Sequence, residues 1–150
     1  LDLMYNALDT HLMSSTQWNY TASNKNDAAI GDGWNQEDLS VFSRDQQADP
    51  KDINSGGRAL AGFVRPYVRA TQGVPKSMRF ERETGTFAFT YDADPEIKHP
   101  TEIYVPKLQF PDDFTVTAEN GVVHLDAAKQ LVTIAARTAG EHRITITRKS

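Results

Sequence analysis

Two tryptophans sit in polar company. Gln17-Trp18-Asn19-Tyr20 flanks one indole with amides and a phenol, and Gly31-Asp32-Gly33-Trp34-Asn35 sets the other beside a carboxylate and an amide. An indole can stack on the apolar face of a pyranose ring while amides and carboxylates around it bond the hydroxyls. Trp18, Trp34, Asn19, Tyr20, Asp32 and Asn35 therefore form the candidate binding set, suited to a sugar. A plainer reading stands beside it, because a tryptophan taken alone is more often a packing residue. Asn19-Tyr20-Thr21 also matches the N-glycosylation sequon. A glycan beside a ligand-binding tryptophan would obstruct it, so the triplet reads as coincidence.

Acid–base chemistry on a glycosidic bond needs two carboxyls flanking that bond on rigid supports. The local candidates are Asp27, Asp32, Glu37 and Asp38. All lie in one polar stretch, so contact with a sugar hydroxyl is a better expectation for any of them than a complete catalytic pair. His11, His99, His124 and His142 fall at no metal-ligand spacing with one another, and there is no cysteine. They are expected on the surface or on a helix face. Asn24-Lys25-Asn26-Asp27 begins like a calcium loop but lacks the glycine and glutamate that should follow. No metal site is expected.

The elements that must hold these residues follow two grammars. Leu1, Met4, Leu8 and Leu12 recur at helical spacing with Ala7 beside them, which predicts a helix over roughly Leu3 to Met13 with that face buried. Ser15 to Thr21 alternates β-type residues and predicts one strand. A polar stretch from Ala22 to Asn54 follows, too long for a plain connector. Gly57 to Val64 predicts a second helix, capped by Asn54 or Ser55 and stopped before Pro66. From about Gly73 the pattern changes to short alternating strands: Met78 and Phe80, a turn at Glu83-Thr84-Gly85, then Phe87, Phe89 and Tyr91. Further strands carry Ile103 and Val105, Phe114 and Val116, Val122 to Leu125, Leu131 to Ala135 and Arg143 to Arg148, with Asn120-Gly121 read as a hairpin turn. Seven or so such strands predict an antiparallel β-sandwich over 73–150, after a separate segment over 1–70.

Composition narrows the classes. The 150 residues carry a net charge of -4 with scattered basic residues, which argues against a nucleic-acid groove. No apolar run approaches the length of a membrane span. The absence of cysteine removes a disulfide framework without excluding secretion. The chain opens directly on helical periodicity with no capping residue, so it is expected to be the C-terminal piece of something larger.

At Gln17 to Ser40 the sequence resembles the end of the catalytic barrel of endoglycoceramidase-like family 5 glycoside hydrolases. The likeness rests on Gln17-Trp18-Asn19-Tyr20 and on Gly31-Asp32-Gly33-Trp34-Asn35-Gln36-Glu37-Asp38-Leu39-Ser40. It continues through Gly57-Arg58-Ala59-Leu60, Val64-Arg65-Pro66-Tyr67 and Gly73-Val74-Pro75, and Phe80 to Tyr91 resembles the start of that family's C-terminal sandwich. The resemblance implies a fold of mixed α/β plus all-β class: the last βα elements of a (β/α)8 TIM barrel, then an antiparallel β-sandwich. On it, Leu1 to Met13 would be the seventh barrel helix, Ser15 to Thr21 the eighth strand, and Gly57 to Val64 part of the eighth helix. The long loop would then lie where barrel enzymes build their sites.

The resemblance further implies retaining hydrolysis of a glycolipid by a glutamate nucleophile and a glutamate acid/base about 5 Å apart. The family carries these on strands four and seven, which would precede Leu1, so no catalytic residue is expected in this chain. Trp18 would form an aromatic platform under the sugar, and Trp34 with its neighbours the groove rim. Neither cofactor nor metal is implied. The implied partners are the upstream barrel segment, as a nicked or separate chain, and a glycolipid, with peripheral membrane contact; the implied location is extracellular. Two rivals remain: a sandwich that binds carbohydrate, membrane or protein without catalysis, and a sandwich that only braces the barrel. Exposed aromatics on the sandwich would favour the first, and their alternation with polar residues reads as core.

Overall fold

The computed structural model describes all residues except 28, 30, 33–35 and 150, and these form two compact units, 2–14 with 64–150, and 15–63 with Leu1. The larger unit holds helix α1 (Asp2–Thr10) and eight strands: β1 (Tyr67–Ala70), β2 (Gly73–Glu81), β3 (Thr86–Ala93), β4 (Thr101–Tyr104), β5 (Phe114–Ala118), β6 (Gly121–Asp126), β7 (Leu131–Ala136) and β8 (Gly140–Arg148). They make two four-stranded antiparallel sheets, ordered β1-β4-β7-β6 and β2-β3-β8-β5.

The alternation read from the sequence places the core. Phe87, Phe89 and Tyr91 on β3 are buried beside Phe80 on β2 and Ile144 and Ile146 on β8. Ile103, Val132 and Ile134 of the other sheet join the same cluster. Period-two burial of large side chains is what holds two sheets face to face. Glu83-Thr84-Gly85 does close the β2–β3 hairpin. Asn120-Gly121 is not a hairpin turn: β5 pairs with β8 and β6 with β7, so this turn carries the chain from one sheet to the other. A turn signal marks a reversal, but pairing depends on which neighbours are free.

Helix α1 departs from its expected burial. Among its described residues only Asp9 is buried, while Leu3, Met4 and Leu12 stay exposed and Leu8 is half-buried. The helix meets the sandwich through its polar edge. Buried Arg65 donates to Asp2 Oδ1 at 2.6 Å, Asn6 Oδ1 at 2.5 Å, Asp9 Oδ2 at 3.1 Å and the Phe80 carbonyl at 3.2 Å. Its guanidinium also lies 5.0 Å from the Phe80 ring centroid. Asp2, Asn6 and Asp9 are spaced to share one face, so one arginine can collect all three. The helix closes after Thr10: Leu12 takes a positive φ of 51°, and the Met13 amide reaches back to the Leu8 carbonyl at 2.9 Å.

The smaller unit has little regular structure: a 3-10 turn at Arg44–Gln46 and helix α2 (Leu60–Phe63). The helix expected from Gly57 shrinks to four residues because Gly57 bridges to Phe42, and Arg58 N–H bonds the Val41 carbonyl at 2.7 Å. Residues 15–21 form no strand. Asn19 instead bonds across to residues 39–41, its N–H to the Leu39 carbonyl at 3.4 Å and its carbonyl to the Val41 N–H at 2.8 Å. A barrel strand needs neighbours on both sides, and the 39–41 segment supplies only one.

Candidate functional site

The candidate residues are gathered by one segment, Leu39 to Phe42. The Leu39 carbonyl accepts from Asn19, while the Leu39 N–H donates to Asp32 Oδ2 at 3.1 Å. Buried Ser40 accepts from Thr21 N–H at 3.0 Å and Phe42 N–H at 3.2 Å. Tyr20 leans on Phe42 with ring centroids 5.6 Å apart. Asn19 and Asp32 are thus joined through Leu39, thirteen positions apart, with Tyr20 in ring contact with Phe42 and Trp18 next to Asn19 in the chain. Trp34 and Asn35 lie outside the described residues.

Exposure and saturation differ sharply across this cluster. Trp18 is 63% exposed in this chain. Its peptide bond to Asn19 is cis. Tyr20 is also exposed. Asp32 is buried, and its Oδ1 has no hydrogen-bond partner among the described residues. Asn19 Oδ1 is in the same condition. Buried acceptors are nearly always paired, so two left open among the described residues ask for a donor. Sugar hydroxyls are donors of that kind.

Three residues that the sequence reading passed over hold the cluster. Asn24 is buried, and its amide donates to Asp38 Oδ1 at 2.9 Å and to the Phe42 carbonyl at 2.9 Å. Arg58 donates to the same Asp38 oxygen at 2.5 Å. The Arg58 bond is the main reason that the Asp38 carboxyl titrates below its usual value, with Asn24 adding to it. A carboxylate held ionised in this way accepts hydrogen bonds and makes a poor general acid. Unpaired backbone groups select Asn24 and Ser40, the Phe42 carbonyl taking the Asn24 amide and the Thr21 and Phe42 N–H groups donating to Ser40 Oγ, and no local spacing in the sequence announces it.

The histidine expectation fails once. His142 is buried, with its ring 5.7 Å from that of Tyr91 and its Nε2 3.1 Å from Thr138 Oγ1. It lies on the inward-facing register of β8, opposite Tyr91. Among the described residues, no group of three His, Cys, Asp or Glu side chains could hold a metal ion.

Known proteins share this architecture. The profile of the family described as the glycoside hydrolase family 5 C-terminal domain matches residues 65–147. A glucosylceramidase of Rhizopus delemar is 32% identical over 123 residues, covering 73% of this chain and 18% of that protein. Endoglycoceramidase I of Rhodococcus hoagii is 34% identical over 107 residues, covering 71% of this chain and 21% of that protein. The crystal structure of Cryptococcus neoformans sterylglucosidase 1 superposes with a TM-score of 0.85 at 28% identity, over 99% of this chain and 24% of that one. The chain therefore spans about a fifth of the length of the curated relatives it matches.

Proposed function

Because the chain belongs to the glycoside hydrolase family 5 C-terminal domain family and is related to glucosylceramidases and endoglycoceramidases, we propose that it is the C-terminal portion of a retaining glycosidase acting on glycolipids. The bond broken joins a β-glucosyl-type sugar to ceramide or a related lipid. The segment read as the barrel end over 1–70 completes a (β/α)8 barrel only as far as Phe63, because β1 at Tyr67–Ala70 already belongs to the attached sandwich. Two glutamates from chain outside these 150 residues act as nucleophile and acid/base, about 5 Å apart. Trp18 carries the sugar face, with Asn19 and Asp32 receiving its hydroxyls and Tyr20, Trp34 and Asn35 completing the rim. The setting is extracellular.

The observation that carries this reading is the pair of open acceptors, Asn19 Oδ1 and Asp32 Oδ1, in the same cluster as the exposed Trp18. The partner for the barrel is the upstream segment, and the exposed Leu3 and Met4 on α1, with Leu12 just past its end, are the surface that it would cover. For the sandwich, bracing is favoured over sugar binding, because Phe80, Phe87, Phe89 and Tyr91 are all core.

Trp18→Ala in the intact enzyme tests the assignment. Turnover of a glucosyl lipid should fall at least about tenfold, or 1.4 kcal/mol of transition-state stabilisation, with the thermal midpoint unchanged. Trp18→Phe should recover part of it. Turnover equal to that of the unmodified enzyme would remove Trp18 from the site.

A further inference from the structure

The buried apolar cluster lies wholly between Phe80 and Ile146, so the smaller unit, 15–63, contributes no residue to it. Hydrogen bonds between loop segments must fix the shape of that unit instead. Residues 41–43 run antiparallel to 56–58. Phe42 bridges to Gly57, Ser43 N–H donates to the Gly56 carbonyl at 2.9 Å, and Arg58 N–H donates to the Val41 carbonyl at 2.7 Å. Gly56 makes the approach possible: it takes a φ of 83°, and a Cβ there would fall 2.8 Å from the Ser43 carbonyl oxygen.

Arg58 grips the 38–41 strap at both ends. Its backbone N–H takes the Val41 carbonyl, and its Nη1 donates to Asp38 Oδ1 at 2.5 Å, an oxygen that also accepts the Asn24 amide at 2.9 Å. Between the two grips lie Leu39 and Ser40, the residues that serve the candidate site. Leu39 N–H donates to Asp32 Oδ2, the Leu39 carbonyl accepts from Asn19 N–H, and Ser40 Oγ accepts from Thr21 N–H. The other oxygen of Asp32 and the side-chain oxygen of Asn19 are the open acceptors. The Arg58 and Asp38 side chains are 28% and 33% exposed. An ion pair as wet as that contributes little to global stability. Its effect is geometric, because it fixes one end of a strap whose middle carries the site.

We propose that Arg58 is a positioning residue of the sugar site: its guanidinium pins Asp38, which holds the 38–41 strap and, through Leu39, sets where the Asn19 and Asp32 acceptors stand. Arg58 acts through those two residues and not on the ligand. The inference rests on the sugar-site reading, since only there do the two acceptors receive hydroxyls. Because a single guanidinium nitrogen bonds Asp38, a lysine ammonium can supply part of the same contact.

Arg58→Ala and Arg58→Lys in the intact enzyme, assayed on a soluble aryl glucoside, test it. Arg58→Ala should raise KM at least about fivefold while kcat changes less, because the acceptors hold the sugar in the ground state and the transition state alike. Arg58→Lys should recover part of the loss, and the thermal midpoint should stay near that of the unmodified enzyme. Asn19→Ala removes one open acceptor and leaves the backbone bonds of the strap in place. Combined with Arg58→Ala, it should lose less than the product of the two single losses. Amide exchange at Asn19, Leu39 and Val41 should quicken in Arg58→Ala. An unchanged KM, a lowered midpoint as the sole effect, or losses that multiply in full would overturn the role. If the intact protein cleaves no glycoside, exchange decides alone. Quickened exchange then keeps Arg58 as the clamp of the strap while the glycosidase reading fails, and unaltered exchange overturns the clamp as well.

Discussion

Arg65 shows how one residue can join two distant parts of the chain. It is buried and collects Asp2, Asn6, Asp9 and the Phe80 carbonyl. Replacing it by methionine would leave Asp9 buried without its cation, so Arg65→Met should cost about 3 kcal/mol in urea unfolding. Asp9 itself carries a testable sign. Burial raises its carboxyl above the usual 3.8, against the opposing pull of Arg65. A folded value above the unfolded one means stability that is present below pH 3.8 and lost as pH rises through the folded value. Asp9→Asn does not titrate, so the unfolding free energy of the unsubstituted protein should rise relative to this variant as the pH is lowered from neutrality. The opposite slope would show that the Arg65 pair outweighs burial.

At the scale of elements, the sandwich was the legible part. Phe87, Phe89 and Tyr91 on β3, and Ile144 and Ile146 on β8, announce by alternation the face that the structure buries. Pairing was not legible, as the sheet change at Asn120-Gly121 shows, because local turn chemistry contains no information on which strands lie free. Gly73 is a further case. It opens β2 at φ 144°, where a Cβ would fall onto the Asp92 carbonyl. Gly73→Ala should therefore cost more than about 1 kcal/mol, read as a lowered denaturation midpoint. A variant as stable as the parent would mean that the β2–β3 register shifts at no cost. The helices read less well. The period of α1 was right, but the face that docks is polar, since an arginine buried nearby outbids an apolar stripe with no cover in its own unit.

At the scale of the whole molecule, that stripe leads to a prediction about assembly. Leu3 is 85% exposed, and Met4, Leu12 and Met13 are exposed with it. Leu3→Lys with Met13→Lys should leave the fold of the 150-residue chain intact and reduce its self-association in sedimentation velocity. In the intact enzyme the same pair should lower the thermal midpoint, because the covered surface then receives two charges. An unchanged midpoint there would show that the upstream segment does not sit on α1.

The residues by themselves determined the family likeness and the sandwich core, and they named Trp18, Trp34, Asn19, Tyr20, Asp32 and Asn35 as candidates, because periodicity and side-chain chemistry are local properties. The tertiary structure decided the rest. It brought Asp32 to Asn19 through Leu39, enlisted Asn24, Ser40 and Arg58 as supports, buried His142, and turned α1 onto Arg65. Each of these depends on which backbone groups and charges lose water together, and that is settled only when segments far apart in the chain are packed against one another.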